Sequence, residues 1–191
     1  SQRQLVGGCG CVVHAAVDYG ACRSDQLANF RRNVVGSLRL MEFARQEGAQ
    51  YIFISTGAVH EKILDDRPLD EAHPLWPGST YGAQKAAVEA FLPAYRGQFD
   101  FNACAFRPTS IYGVHLTRPE KSHWYGLVKD VAGGRDVDTA RGGKIVHVED
   151  VAEAVARAVG NDAVKGEVYE TTDCHIYDAV VARFAKEASG S

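Results

Sequence analysis

The stretch LANFRRNVVGSLRLMEFARQEGAQYIFIST, residues 27–56, decides the fold. Its first part carries apolar residues at helical spacing and reaches a glycine at Gly48, the usual stop for a helix. Three residues on, YIFIST (51–56) is a run of strand length, apolar on both of its alternating faces and ending on two hydroxyls. A helix that delivers the chain to a strand buried on both sides is half of a βα repeat, and such strands belong to parallel sheets covered by helices.

The pattern continues outward in both directions. CVVHAA (11–16) reads as a preceding buried strand, FNACAFRP (101–108) as a later one ended by Pro108, and EVYETT (167–172) as another. Helical period marks the segment opened by STYGAQKAAVEAF (79–91), with Ser79 or Thr80 as its cap and Pro93 as its end or kink. HWYGLVKDVAGG (123–134), EDVAEAVARAVGN (149–161) and YDAVVARFAKEA (177–188) add further helices, and KIVHV (144–148) a short extended piece. The expectation is one α/β domain over 1–191, a Rossmann-like doubly wound parallel sheet, with no internal repeat and no linker.

Composition narrows the function. Of 191 residues 46% are hydrophobic and 24% charged, and the net charge is -3. The Lys and Arg residues are scattered, so the chain has no surface built for nucleic-acid phosphates. No apolar run approaches membrane-spanning length, and SQRQLVGGCG has no apolar leader core. Cys9, Cys11, Cys22, Cys104 and Cys174 are odd in number and lack zinc-ligand spacing, which suits reduced thiols and a cytoplasmic location. Seven dispersed histidines define no metal site. GGCG (7–10) precedes a strand rather than a helix, the wrong end for a phosphate cradle.

Chemistry concentrates at two places. Tyr81 and Lys85 stand four apart on one predicted helix, hence on one face. A tyrosine titrates near 10, so making it a base at neutral pH requires roughly 4 kcal/mol of preference for the phenolate, and a nearby cation acts in that direction. Ser55 and Thr56 end the strand 51–56, where the carboxyl ends of parallel strands face the ligand crevice. A hydroxyl, a phenol and an ammonium converging there suit hydride transfer at a carbinol or carbonyl carbon.

CVVHAA, NVVGSLRLMEFARQEG, YIFISTGAV, PLDEAHPLWPGSTYGAQKAAVE, FRPTSIYG and HVEDVAEAV, in that order and spacing, resemble the extended short-chain dehydrogenase/reductases, the NAD-dependent epimerase/dehydratase group. The resemblance implies a cofactor, NAD or NADP, a small-molecule substrate, most readily a sugar or nucleotide sugar, and a possible homodimer. It implies Thr56 as the catalytic hydroxyl and substrate contact, Tyr81 as acid/base, and Lys85 as the lysine that lowers the tyrosine pKa and holds the nicotinamide ribose. It places His14, Ala15, Ala16, Asn33, Ser55 and Pro108 around the cofactor. Glu71 and Asp150 take structural roles, and Trp124 and Tyr125 lie in the region of the substrate pocket. A small substrate lobe is expected from about 114–148 with the C-terminal part.

Departures shape the reading. The Asp-Glu pair of the 4,6-dehydratases is Gly57-Ala58 here, which disfavours dehydration. The usual Val-Tyr-Gly is Val59-His60-Glu61. The Arg-Asp-Phe run of many nucleotide-sugar members is Gly143-Lys144-Ile145, leaving Arg141 or Lys144 to meet a substrate phosphate. The family's Gly-rich βαβ unit, about 30 residues or more, is expected ahead of Ser1, so the chain reads as lacking it and as binding a dinucleotide poorly by itself.

Overall fold

A computed structural model describes residues 8–19, 24–137 and 140–190. Cys22 lies outside the described residues; Cys9, Cys11, Cys104 and Cys174 are free thiols. The chain divides into two compact units, one of residues up to Arg107 with Ala154–Glu170, the other of Pro108–Glu153 with the residues from Thr171 onward.

The first unit is built on strands β1 (Cys11–His14), β2 (Gln50–Ile54) and β3 (Ala103–Pro108), joined at the edge by β6 (Val168–Thr171), in the spatial order β1-β2-β3-β6. β1 pairs parallel to β2 with Val12 beside Tyr51, and β2 pairs parallel to β3 with Ile52 beside Cys104. The alternation along β2 explains its unbroken apolar run. Tyr51 and Phe53 enter one core with Val12, Met41, Val88 and Leu92, while Ile52 enters a second with Cys104, Phe106 and Ala158. With helices on both faces, neither side of the strand can be polar.

The connection from β1 to β2 begins with α1 (Gln26–Phe30), capped by Asp25, whose carboxylate accepts the Ala28 N–H at 2.9 Å. A π-helical turn, Arg31–Val35, follows, and then α2 (Gly36–Gln46). The uninterrupted helix expected over 27–48 thus contains a widened turn. From β2 the chain passes through a 3-10 turn (Gly57–His60) and a loop into α3 (Thr80–Glu89) and α4 (Phe91–Phe99). Ser79 caps α3, its hydroxyl accepting the Gly82 N–H. The break at Ala90 follows from Pro93, which has no N–H to offer the Glu89 carbonyl.

The second unit holds a small sheet that the periodicity does not reveal. β4 (Ser110–Tyr112), β5 (Gly142–His147) and β7 (Cys174–Tyr177) lie in the order β4-β5-β7, with β5 parallel to β4 and antiparallel to β7. The parallel expectation therefore describes the first unit, and the second is mixed. α5 (Tyr125–Ala132) packs on α7 (Asp178–Ser189), and the Trp124 indole N–H donates to Asp178 at 2.9 Å. α6 (Val148–Ala158) contributes residues to both units, with Glu149 and Asp150 in its first turn, where carboxylates favour the helix dipole. No helix among the described residues is long and apolar enough to cross a membrane.

Candidate active site

The C-terminal end of β2 sets the site. Ser55 still bonds the sheet, its N–H donating to Phe106 at 2.7 Å, while its Oγ is buried without a hydrogen-bond partner. Thr56 leaves the strand and caps the 57–60 turn, its Oγ1 accepting the Ala58 N–H at 3.2 Å. α3 then packs directly on that turn. A Cβ on Gly82 would lie 2.6 Å from the Ala58 carbonyl oxygen, so the residue after Tyr81 must be glycine for this approach. The close packing sets Tyr81 next to the turn that Thr56 caps.

Tyr81 is half-buried and touches a second phenol. Its ring centroid is 5.4 Å from that of Tyr19. Burial pushes the Tyr81 phenol above its ordinary range, Tyr19 adds to that, and the Thr56 hydroxyl acts against it. The lowering by Lys85 that the resemblance implies is not among these influences. The Lys85 ammonium instead donates to the Ile54 carbonyl at 2.7 Å and lies 4.6 Å over the Phe53 ring. A strand-end carbonyl and an aromatic face both attract a buried cation. Burial draws Lys85 down to about 8, with Glu89 opposing.

His14, at the end of β1, contacts the Tyr51 hydroxyl at 2.6 Å through Nδ1. Burial and then the Lys85 charge lower its pKa to about 4, so the imidazole is neutral at pH 7. Ala15 and Ala16 follow it on the surface, and Ala16 lines a narrow recess with Val17, Asn33, Ser37, Tyr81, Gln84 and Lys85.

The π turn has a structural reason here. Asn33 accepts the Asp18 N–H at 2.8 Å and donates to the Asp18 carbonyl and to Gln84 Oε1, both at 2.9 Å. Gln84 in turn donates to Asn29 Oδ1 at 2.6 Å. A widened turn lets two asparagines four apart meet one glutamine of α3 and one backbone segment after β1. The network ties the Tyr81 helix to the backbone segment after β1.

A buried charge cluster braces the other side. Arg107 is 4% exposed and donates to Glu89 Oε2 at 2.7 and 3.0 Å, to Glu170 at 3.0 Å and toward the Glu71 carbonyl at 3.4 Å. His60 Nε2 stands 3.0 Å from Arg107 and 2.9 Å from Glu170, and its Nδ1 faces the Pro74 carbonyl at 3.3 Å. Glu71 accepts the Glu170 N–H at 2.9 Å, which is the loop-holding role expected of it. The unusual Val59-His60-Glu61 thus has an explanation: His60 joins the cluster, and Glu61 accepts the Gly78 N–H at 2.9 Å, closing the base of the 61–79 loop.

The structure therefore brings His14, Ala16, Asn33, Ser55, Thr56, Tyr81 and Lys85 together in the first unit. Pro108, Arg141 and Lys144 belong to the second: Pro108 is buried at the end of β3, the Arg141 carbonyl accepts the Asp178 N–H at 2.9 Å, and Lys144 is exposed on β5 beside His175. Tyr19, Gln84, His60 and Arg107 were missed as site residues. Only the His60-Glu61 departure signalled any of them.

Ser55 Oγ, buried and unbonded at a parallel strand end, and small alanines at the end of β1 are features that a flat dinucleotide ring would fill. The family model described as "NAD dependent epimerase/dehydratase family" matches residues 2–171. The chain is 31% identical over 134 residues to a UDP-glucose 4-epimerase of Mycolicibacterium smegmatis, covering 67% of this chain and 43% of that protein. It is 29% identical over 175 residues to the Rhizobium leguminosarum UDP-glucose 4-epimerase, covering 78% and 53%. The Thermus thermophilus UDP-glucose 4-epimerase, solved with NAD, superposes with a TM-score of 0.74 at 26% identity over 95% of this chain and 62% of its own. The chain spans about half the length of these curated relatives.

Proposed function

The chain belongs to the NAD dependent epimerase/dehydratase family, and from that premise we propose that the protein moves a hydride between NAD or NADP and a hydroxyl or carbonyl carbon of a nucleotide sugar. The observation that carries this reading is the packing of α3 on the turn that follows Thr56 at the end of β2, which sets Tyr81 beside that hydroxyl, with Lys85 buried one helical turn along. Thr56 offers a hydroxyl to orient the substrate oxygen, and Tyr81 takes or returns that oxygen's proton. Lys85 supplies a positive charge and a donor for a cofactor ribose, and Ser55, Ala16 and His14 form the surface against which the ring would lie. The nicotinamide, when bound, supplies the hydride acceptor or donor.

The substrate class rests on the relatives, which are UDP-glucose 4-epimerases. Dehydration is disfavoured because Gly57 and Ala58 put no carboxylate in the turn after Thr56. The second unit is assigned the substrate lobe, with Arg141 and Lys144 as the candidate phosphate contacts. A reductase of a non-sugar carbonyl is the second reading, favoured by Gly143-Lys144-Ile145, where Lys144 is the single cation on its strand.

Incubating the complete enzyme with UDP-glucose and other nucleotide sugars, and following product stereochemistry by NMR, tests the proposal. Conversion at one carbon of a nucleotide sugar is expected. Inertness toward all of them, with turnover of a simple ketone, would move the assignment to the second reading.

A further inference from the structure

Tyr19 has no part in the chemistry assigned so far, yet its ring lies against that of Tyr81, with the centroids 5.4 Å apart and the planes tilted by 38°. It is 61% exposed, so that contact leaves most of the ring open to solvent. A lone exposed aromatic on an untethered loop is ordinary surface. The backbone that carries Tyr19 is tethered. In the preceding residue, Asp18, the N–H donates to Asn33 Oδ1 at 2.8 Å, the carbonyl accepts from Asn29 at 2.7 Å and Asn33 at 2.9 Å, and the carboxylate pairs with Arg32 at 2.5 Å. Gln84, three residues past Tyr81 on α3, bonds both asparagines, and Asn29 and Gln84 are buried. One network therefore fixes the segment leading to Tyr19 and the helix that carries Tyr81. Two asparagines, a widened helical turn and a glutamine are committed to holding a stretch whose next side chain is exposed, and widened turns of this kind gather at functional sites.

We propose that Tyr19 is a substrate-binding platform, an aromatic face held beside the acid/base residue on which the hexose ring of a nucleotide sugar packs. The inference rests on the nucleotide-sugar reading of the site. A pyranose presents hydroxyls around its rim and C–H groups on its faces, so an aromatic ring can take the apolar face while the rim stays free for hydrogen bonds. Tyrosine suits this task because it offers a large contact area with two rotatable side-chain bonds to freeze. Fixing the Asp18 backbone in advance reduces the ordering cost further, which is how preorganisation raises affinity. The contact with Tyr81 gives the platform its use, since a hexose seated on Tyr19 is held next to the residue that handles its proton.

The test is Tyr19→Ala in the complete enzyme at saturating dinucleotide, titrated calorimetrically with UDP-glucose and separately with UDP. UDP-glucose should bind about 10–100-fold more weakly, the usual loss when an aromatic anchor is truncated. UDP, which lacks the hexose, should bind as it does to wild type and so reports an intact fold. Tyr19→Phe keeps the ring and should restore the affinity for UDP-glucose. Steady-state turnover should show the loss of Tyr19→Ala in KM rather than kcat, since the platform holds ground state and transition state alike. Wild-type affinity of Tyr19→Ala for UDP-glucose, or an equal loss for UDP, overturns the platform and leaves nucleotide-sugar turnover standing. A kcat that rises in Tyr19→Ala also overturns it, and makes the ring a cover over Tyr81. Failure of the wild-type enzyme to bind or convert UDP-glucose removes the underlying reading, and the platform with it.

Discussion

The Lys85 ammonium donates a 2.7 Å hydrogen bond to the carbonyl oxygen of Ile54, the last residue of β2. That bond anchors the Tyr81 helix to the strand that presents Thr56, and it holds a cation near His14. Burial is the larger cause of the low His14 pKa, and the Lys85 charge the second. Lys85→Met should therefore raise the His14 pKa above about 4 while leaving it below the usual 6.5. NMR titration of the imidazole measures this directly, and an unchanged value would mean that the ammonium does not sit where described.

Stability should fall as the solution is acidified through the His14 range. The folded pKa is about 4, below the unfolded value near 6.5, so the unfolded chain binds the extra proton throughout that window. The contribution is fully present above the unfolded pKa and is lost as pH falls, with a slope of up to about 1.4 kcal/mol per pH unit. Denaturant unfolding between pH 7 and 4 should show this slope, and His14→Gln should flatten it. Equal slopes in the two proteins would remove His14 as the cause.

Arg107→Met should destabilise the fold by about 3–5 kcal/mol, because Glu89 and Glu170 would keep buried charges without their partner. Adding Glu89→Gln should cost less than the two single changes summed, since the pair is coupled. Urea denaturation of the four proteins in the cycle checks this, and strict additivity would contradict the coupling.

Thr56 caps the 57–60 turn, and its hydroxyl favours the Tyr81 phenolate. Thr56→Ser keeps the hydroxyl and should largely retain turnover, whereas Thr56→Ala should depress it and lower stability by about 1 kcal/mol through the lost cap. Steady-state rates for both variants decide the matter, and an active Thr56→Ala would assign the hydroxyl to the cap alone.

What the sequence made legible follows from what is local. The double-sided burial of Tyr51 to Ile54 is written in the residues themselves, and so is the parallel pairing it demands. Tyr81 and Lys85 share a helix face by spacing, and Thr56 ends a strand by position. The π turn at 31–35 was not legible, because its reason is a tertiary bond from Asn33 to Gln84, 51 residues away. The β4 and β7 strands are three and four residues long and mostly exposed, so no apolar period marks them. Tyr19 and His60 acquire their partners only when the loops close, and the pull of Ile54 on Lys85 depends on a backbone oxygen that carries no side-chain signature.

The central claim is that the Tyr81 phenol carries the proton of the reaction. Turnover of the complete enzyme on a nucleotide-sugar substrate, wild type against Tyr81→Phe under saturating dinucleotide, tests it most directly, since phenylalanine keeps the ring and removes the one titratable atom. The predicted result is a fall of about 10²–10⁴-fold, the usual loss for a general acid/base, with the melting temperature little changed. Turnover within a few-fold of wild type would contradict it and leave Tyr81 and Lys85 as packing residues of α3.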